Sequence, residues 1–156
     1  MFYSPGQLES VFIEVSFSHR CNIVVGCIYK HPKMPVNTFN SNFLSPLLQT
    51  LDKEKKTIVL LGDFNIDLLK LTGCIVSNFL DILGSYQILP KILLLTRITE
   101  TSKTLIDNIF TTTTGCNCVS GNLLHLILDH LPQFLFLQSN AQSRNGVDLS
   151  KCPKLF

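Results

Sequence analysis

Charge is scarce in this chain. Asp, Glu, Lys and Arg make up 15% of its 156 residues, against roughly a quarter in an average soluble domain. Thirteen basic and eleven acidic residues leave a formal net charge of +2. That is too little for bulk electrostatics to imply nucleic-acid binding, so any such claim has to rest on a site. Long hydrophobic runs are missing as well. The mean hydropathy is +0.30, yet no window approaches the ~18 uninterrupted apolar residues of a spanning helix. The richest stretch, Leu123 to Leu137, is broken by His125, Asp129, His130, Pro132 and Gln133. No transmembrane helix and no membrane partner are expected. The opening MFYSPGQLES has no Lys or Arg and no apolar run of leader length. Nothing there marks the chain for secretion, and an intracellular location is expected, with nucleus and cytoplasm not distinguished.

A disulfide framework is also unexpected. The six cysteines are an even number, but such frameworks belong to short secreted chains, so Cys21, Cys27, Cys74, Cys116, Cys118 and Cys152 read as reduced thiols. Cys116 and Cys118 alone are close together, and one Cys-x-Cys without a second ligand pair is a weak sign of zinc. There is no internal repeat, and the only low-complexity tract is Thr111 to Thr114.

Hydrophobic residues are 46% of the chain, enough for a core and too many for intrinsic disorder. The length fits one domain, assigned to 1–138, followed by a polar tail without periodicity over 139–156. Val11, Ile13, Val15 and Phe17 alternate with Phe12, Glu14 and Ser16, which predicts a strand over Ser10 to Phe17 with the former set buried. A second strand is expected from Asn22 to Tyr29. Phe39, Phe43, Leu47 and Leu51 form a helical stripe with Asn37 or Thr38 as N-cap. Pro46 requires either a kink or a late start with Ser45 as N-cap. Thr57 to Leu61 reads as a strand buried on both faces. Ile75 to Leu83 reads as a helix with Ile75, Phe79, Ile82 and Leu83 on one face and Gly84 as its cap. Ile88 to Leu95, Thr104 to Thr111, Leu123 to Leu128 and Gln133 to Gln138 read as further strands. The class is a mixed α/β sandwich.

Three polar clusters interrupt apolar strands at their ends: Asp63 with Asn65, Asp107 with Asn108, and Asp129 with His130. Each alone is ordinary turn chemistry. Together they supply what metal-assisted phosphodiester cleavage needs, namely carboxylate oxygens for a hard divalent ion, a base for the attacking water and a donor for the developing phosphate charge.

At these residues the chain resembles the endonuclease/exonuclease/phosphatase (DNase I-like) superfamily, and within it the endonuclease domain of jockey-like non-LTR (LINE-type) retrotransposons. The segments that carry this are ESVFIEV (Glu9 to Val15), NIVVGCIYKHP (Asn22 to Pro32), IVLLGDFNIDLL (Ile58 to Leu69), LLTRITETSKTLIDNIF (Leu94 to Phe110) and LILDHLPQF (Leu126 to Phe134). They follow in family order over Leu8 to Leu137. The resemblance implies a partial four-layered sandwich of two mainly antiparallel sheets with flanking helices. It further implies that Tyr29 and Asn65 contact the phosphate and that Asp63 activates water. Asp107 would orient His130, His130 would stabilise or protonate a phosphate oxygen, and Asp129 would bind Mg2+. DNA would be the substrate, and the rest of a retroelement polyprotein with reverse transcriptase a partner.

The chain departs from the family in three ways. The family's Asn strand and metal-binding Glu motif lie upstream of the segment that here starts at Glu9, which implies an N-terminally truncated and impaired endonuclease. Leu128 stands where the family has Ser. Basic residues near the motifs are few: Lys30, Lys33, Arg97 and Lys103. An active phosphodiesterase of the same superfamily and a non-catalytic nucleic-acid-binding remnant are the alternatives.

Overall fold

Residue parity divides the main sheet of this protein into two unlike faces. The computed structural model describes residues 8–18, 21–70, 73–113, 118–125 and 127–138. Strands β1 (Leu8–Val15), β2 (Ile23–Lys30), β3 (Thr57–Asp63), β4 (Leu89–Pro90) and β7 (Asp107–Thr111) form one sheet in the order β1-β2-β3-β7-β4. The β2–β3 pair is parallel and the other pairs are antiparallel. Two two-stranded sheets accompany it, β5 (Arg97–Ile98) with β6 (Lys103–Thr104) and β8 (Cys118–Asn122) with β9 (Gln133–Leu137).

Directly paired residues share a face of a sheet. Phe12, Gly26, Leu60 and Phe110 are paired in one row, and this row meets the helices. Phe110 lies edge-on to Phe79 and Phe64, and Phe79 also packs on Phe39, which touches Phe43. Helix α1 (Val36–Phe39), a π-helical turn (Asn40–Leu44) and α2 (Ser45–Lys53) form one run, and α3 is Cys74–Ser85. The stripe Phe39, Phe43, Leu47 and Leu51 is buried throughout. Pro46 follows Ser45, the first residue of α2, and Ser45 is not its N-cap, which is Leu44. The proline sits in the first turn of α2, directly after the π turn, a local widening that accommodates the amide it lacks. The run begins at Val36 after Pro35 with no side-chain cap, so Asn37 and Thr38 are not N-caps.

Several expectations about burial and extent are corrected. Strand β1 alternates as expected, but Val11 (51% exposed) and Ile13 (57%), with Val15 and Phe17, lie on the open face. The packed face holds Leu8 and Phe12, because Phe12 fills the space over Gly26, where a Cβ would lie 2.3 Å from the Phe12 ring. Helix α3 buries Val76, Phe79 and Leu83 and leaves Ile75 exposed. Gly84 lies inside that helix, and the positive φ beyond it belongs to Gln87. The stretch 88–95 pairs only at Leu89–Pro90, because the Asn108 side chain takes both backbone groups of Ile92. The stretch 104–111 divides into the end of β6 and β7, and none of the described residues 123–125 and 127–128 belongs to a named strand, the partner of β9 being β8.

The mixed α/β class stands. The described cysteines Cys21, Cys27 and Cys74 are free thiols. Cys116, Cys152 and the tail 139–156 lie outside the described residues. Among the described residues no helix is long and apolar enough to cross a membrane.

Candidate active site

The second face of the sheet carries a row of polar residues. Glu9 pairs with Tyr29, Tyr29 with Asp63, and Asp63 with Asp107. The four therefore project from four adjacent strands onto the face away from the helices. Asp107 is buried, Asp63 is half-buried, and Tyr29 and Glu9 are exposed. Asn108, the neighbour of Asp107, points the other way. It is 1% exposed and holds Ile92 and its own chain, so the pair Asp107-Asn108 divides into one site residue and one structural residue.

Loop residues complete the site. His130 Nδ1 lies 2.9 Å from Asp107 Oδ2 and 3.1 Å from Oδ1. Its Nε2 lies 3.7 Å from Asp129 Oδ1. The stretch holding His130 is tied to β5: the Leu131 N–H donates to the Thr96 carbonyl at 2.7 Å, and the Ile98 N–H donates to the Asp129 carbonyl at 2.8 Å. Thr96 is fully buried, and its Oγ1 accepts the N–H groups of Ile106 (3.2 Å) and Asp107 (3.0 Å). One residue thus fixes the backbone on both sides of the Asp107–His130 contact. Sequence reasoning singled out the surrounding segment but not Thr96, whose part is played against backbone groups and leaves no residue-type signature.

Asp63 is held in a tight turn. The Asn65 N–H donates to Asp63 Oδ1 at 2.9 Å, with Asn65 at φ +48°, a left-handed conformation that Asn tolerates. Asn65 Nδ2 donates to the Lys30 carbonyl at 2.9 Å. Lys30 is 1% exposed, and its Nζ donates to the carbonyls of Met34 (2.9 Å) and His31 (3.3 Å). It staples the loop after β2 and is not a free cation for a phosphate. Tyr29 faces the open side with its ring edge-on to His31.

The electrostatics of the site are unbalanced. Burial pushes the Asp63 carboxyl above its ordinary range and the Asp107 carboxylate pushes it further, while the Asn65 N–H draws it back. Burial holds the Lys30 ammonium below its ordinary range, against the pull of Asp63. Asp129 is the opposite case: the hydrogen bond from Arg97 Nε, 2.6 Å from Oδ2, lowers its carboxyl. Ligand atoms of Asp63, Asp107 and His130 lie within 4.8 Å of one another, a group able to hold a metal ion. Two crowded carboxylates, one of them made costly to ionise by burial, are a donor set that a divalent cation would relieve. Asp63, Asp107, His130, Ile127, Leu131 and Gln133 line a cleft of about 310 Å³. Beside it an apolar cavity of about 420 Å³ separates the sheet from β9, between Val25, Leu61 and Leu135.

Of the expected site residues, Asp63, Asp107 and His130 meet. Asn65 abuts Asp63, Tyr29 stands one strand away in the same row, and Asp129 adjoins His130 but is engaged by Arg97. Glu14 is no part of the site, being bonded to Asn22 and Lys56.

The fold is similar to those of two solved structures. Superposed on the endonuclease domain of TRAS1, a telomere-specific non-LTR retrotransposon, the chain gives a TM-score of 0.63 at 13% identity, over 83% of its own length and 61% of that domain. An endonuclease/exonuclease/phosphatase family protein from Leptotrichia buccalis C-1013-b gives 0.53 at 14% identity, over 83% of this chain and 54% of that one. The chain thus spans less than two thirds of either structure. No family model and no curated protein matches it.

Proposed function

We propose that this chain is part of a metal-dependent DNA endonuclease of the retrotransposon type, with Mg2+ as the ion, and that its hydrolytic activity is impaired. The observation that carries the reading is the meeting of Asp63, Asp107 and His130 in one cleft, on a fold shared with the TRAS1 endonuclease domain.

The half-buried Asp63 carboxylate takes a proton from the attacking water, and burial strengthens it as a base. Asp107 accepts the Nδ1 proton of His130 and orients the ring, and in the imidazolium form the Nε2–H donates to a phosphate oxygen. Tyr29 and Asn65 hold the phosphate from the next strand and from the turn. Asp129 is the oxygen ligand offered to Mg2+, with the negative charge of the Asp63–Asp107 pair close by, and the ion would supply charge stabilisation on the phosphate when bound. Impairment is read from a weak hold on the ion: Asp129 is engaged by Arg97 in the free protein, and the chain spans only 61% of the TRAS1 domain it resembles. Few basic groups face a polyanion: Lys30 is buried and Arg97 is paired, which leaves Lys33 and Lys103 of the cations near the motifs. That weighs against a purely nucleic-acid-binding remnant. The intact Asp63–Asp107–His130 geometry favours one second reading, an active phosphodiesterase of the same fold. In a larger retroelement polyprotein, reverse transcriptase would be the accompanying activity.

Nicking of supercoiled plasmid by the purified chain tests the proposal. The expected result is little cleavage at millimolar Mg2+, with any cleavage abolished by Asp63→Ala and by His130→Ala. Efficient nicking lost in both variants would favour the active enzyme.

A further inference from the structure

Arg97 and Asp129 stand in a fixed relation that the proposed hydrolysis does not use. Arg97 lies opposite His130 in an isolated antiparallel bridge, and the hydrogen bonds Ile98 N–H to Asp129 O and Leu131 N–H to Thr96 O lock the two backbones on either side. Only side-chain torsions can therefore separate the guanidinium from the carboxylate. The side chains are 39% and 33% exposed, so the pair reaches solvent. Arg97 contacts Asp129 through Nε, which leaves its amino groups as donors, and a guanidinium binds phosphate through two parallel N–H bonds. A divalent cation approaching Asp129 meets a competitor for the carboxylate and a like charge beside it. An ion pair at this exposure is weak, whereas a charge-assisted, bidentate bond to phosphate is strong.

We propose that Arg97 is a substrate-gated cover on the metal-binding carboxylate. In the free protein it occupies Asp129. A phosphodiester held at His130, whose Nε2 lies 3.7 Å from Asp129 Oδ1, draws the guanidinium onto its own oxygens and releases Asp129 to a divalent cation, so that metal binding follows substrate binding. The inference rests on the proposed metal-dependent phosphodiesterase, and it specifies the order in which that site fills.

Mn2+ binding to the full chain, measured by electron paramagnetic resonance of the free ion, tests it without reference to turnover. The titrations use wild type, Arg97→Gln and Asp129→Asn, each with and without a short DNA duplex, after subtraction of Mn2+ held by the duplex alone. The duplex is expected to tighten Mn2+ binding to wild type by about three- to tenfold, the range open to an exposed ion pair and the like-charge repulsion it adds. R97Q is expected to bind Mn2+ that tightly without the duplex and to gain little from it. D129N is expected to show no duplex effect. R97K keeps the charge but not the planar fork, and its affinity is expected between the two; it serves as the test variant if R97Q does not fold. Mn2+ binding by wild type that depends on Asp129, together with equal or weaker binding by R97Q, would overturn the gate and leave the metal site standing. Equal Mn2+ binding by wild type and D129N, with and without duplex, would overturn the gate and the assignment of Asp129 as a metal ligand, and no Mn2+ binding by either would overturn the metal-dependent reading as well.

Discussion

The Asp107 carboxylate holds the ring of His130 by Nδ1 at 2.9 Å, across 23 residues of sequence. A ring bonded in this way is fixed in one tautomer, with Nε2 as the nitrogen available to a reacting oxygen. Neutral His130 should accordingly show a single Nδ1–H tautomer in long-range 15N spectra. Asp107→Ala should give the mixed tautomers of a free imidazole and cost about 10²- to 10⁴-fold in any hydrolysis the chain performs. Mixed tautomers in the wild type would contradict the assignment.

Asp63 ties activity to stability. Burial raises its pKa in the folded state, so the folded protein holds this proton more tightly than the unfolded chain, whose carboxyl titrates near ~3.9. Stability is therefore lost as pH rises from that value through the raised pKa. Asp63→Asn keeps an acceptor for the Asn65 N–H and removes the charge. It should stabilise the protein at pH 7 by less than about 1 kcal/mol after allowance for partial exposure, roughly 2–4 °C in Tm. The gain should vanish below about pH 4. Melts of both proteins across this range read the effect.

Thr96 is tested by its isostere. Thr96→Val removes Oγ1, the acceptor for two buried N–H groups, and changes little in volume. A loss of about 1–3 kcal/mol is expected in denaturant unfolding, with a shift of the His130 ring resonances as Asp107 loses its backbone anchor. An effect on stability without any on His130 would make Thr96 structural alone.

Two glycines should answer differently to alanine. At Gly62, with φ +136°, a Cβ would lie 2.0 Å from the Ile28 carbonyl, a backbone atom that cannot turn aside. Gly62→Ala should cost about 3 kcal/mol or more, or prevent folding, and should disturb Asp63 next to it. Gly84 lies within α3 with nothing near its Cβ position, and Gly84→Ala should stabilise by roughly 0.5–1 kcal/mol.

The ladder of strands was legible because alternation and short apolar runs are local properties, and the polar clusters were legible because they end those runs. The buried face of β1 was not legible, since both faces carry apolar residues and the choice depends on Phe12 covering Gly26 one strand away. The strand expected over Ile88 to Leu95 is cut short by a side chain sixteen residues on, Asn108. Within the site, the row Tyr29, Asp63, Asp107 is a consequence of register, and the motifs imply it only if that register is known. The Arg97–Asp129 contact is a tertiary event that no spacing rule contains.

If Asp63, Asp107 and His130 form one phosphodiester-hydrolysing centre that depends on a divalent ion, plasmid nicking should respond to both the residues and the metal. Wild type, Asp63→Ala and His130→Ala, followed over increasing Mg2+, provide the comparison. Slow conversion of supercoiled to open-circular DNA is expected from the wild type, little at millimolar Mg2+ and more as Mg2+ rises, with both variants at the background of metal-free samples. Cleavage that persists in the variants or without metal would contradict such a centre, as would a wild type that stays at background throughout.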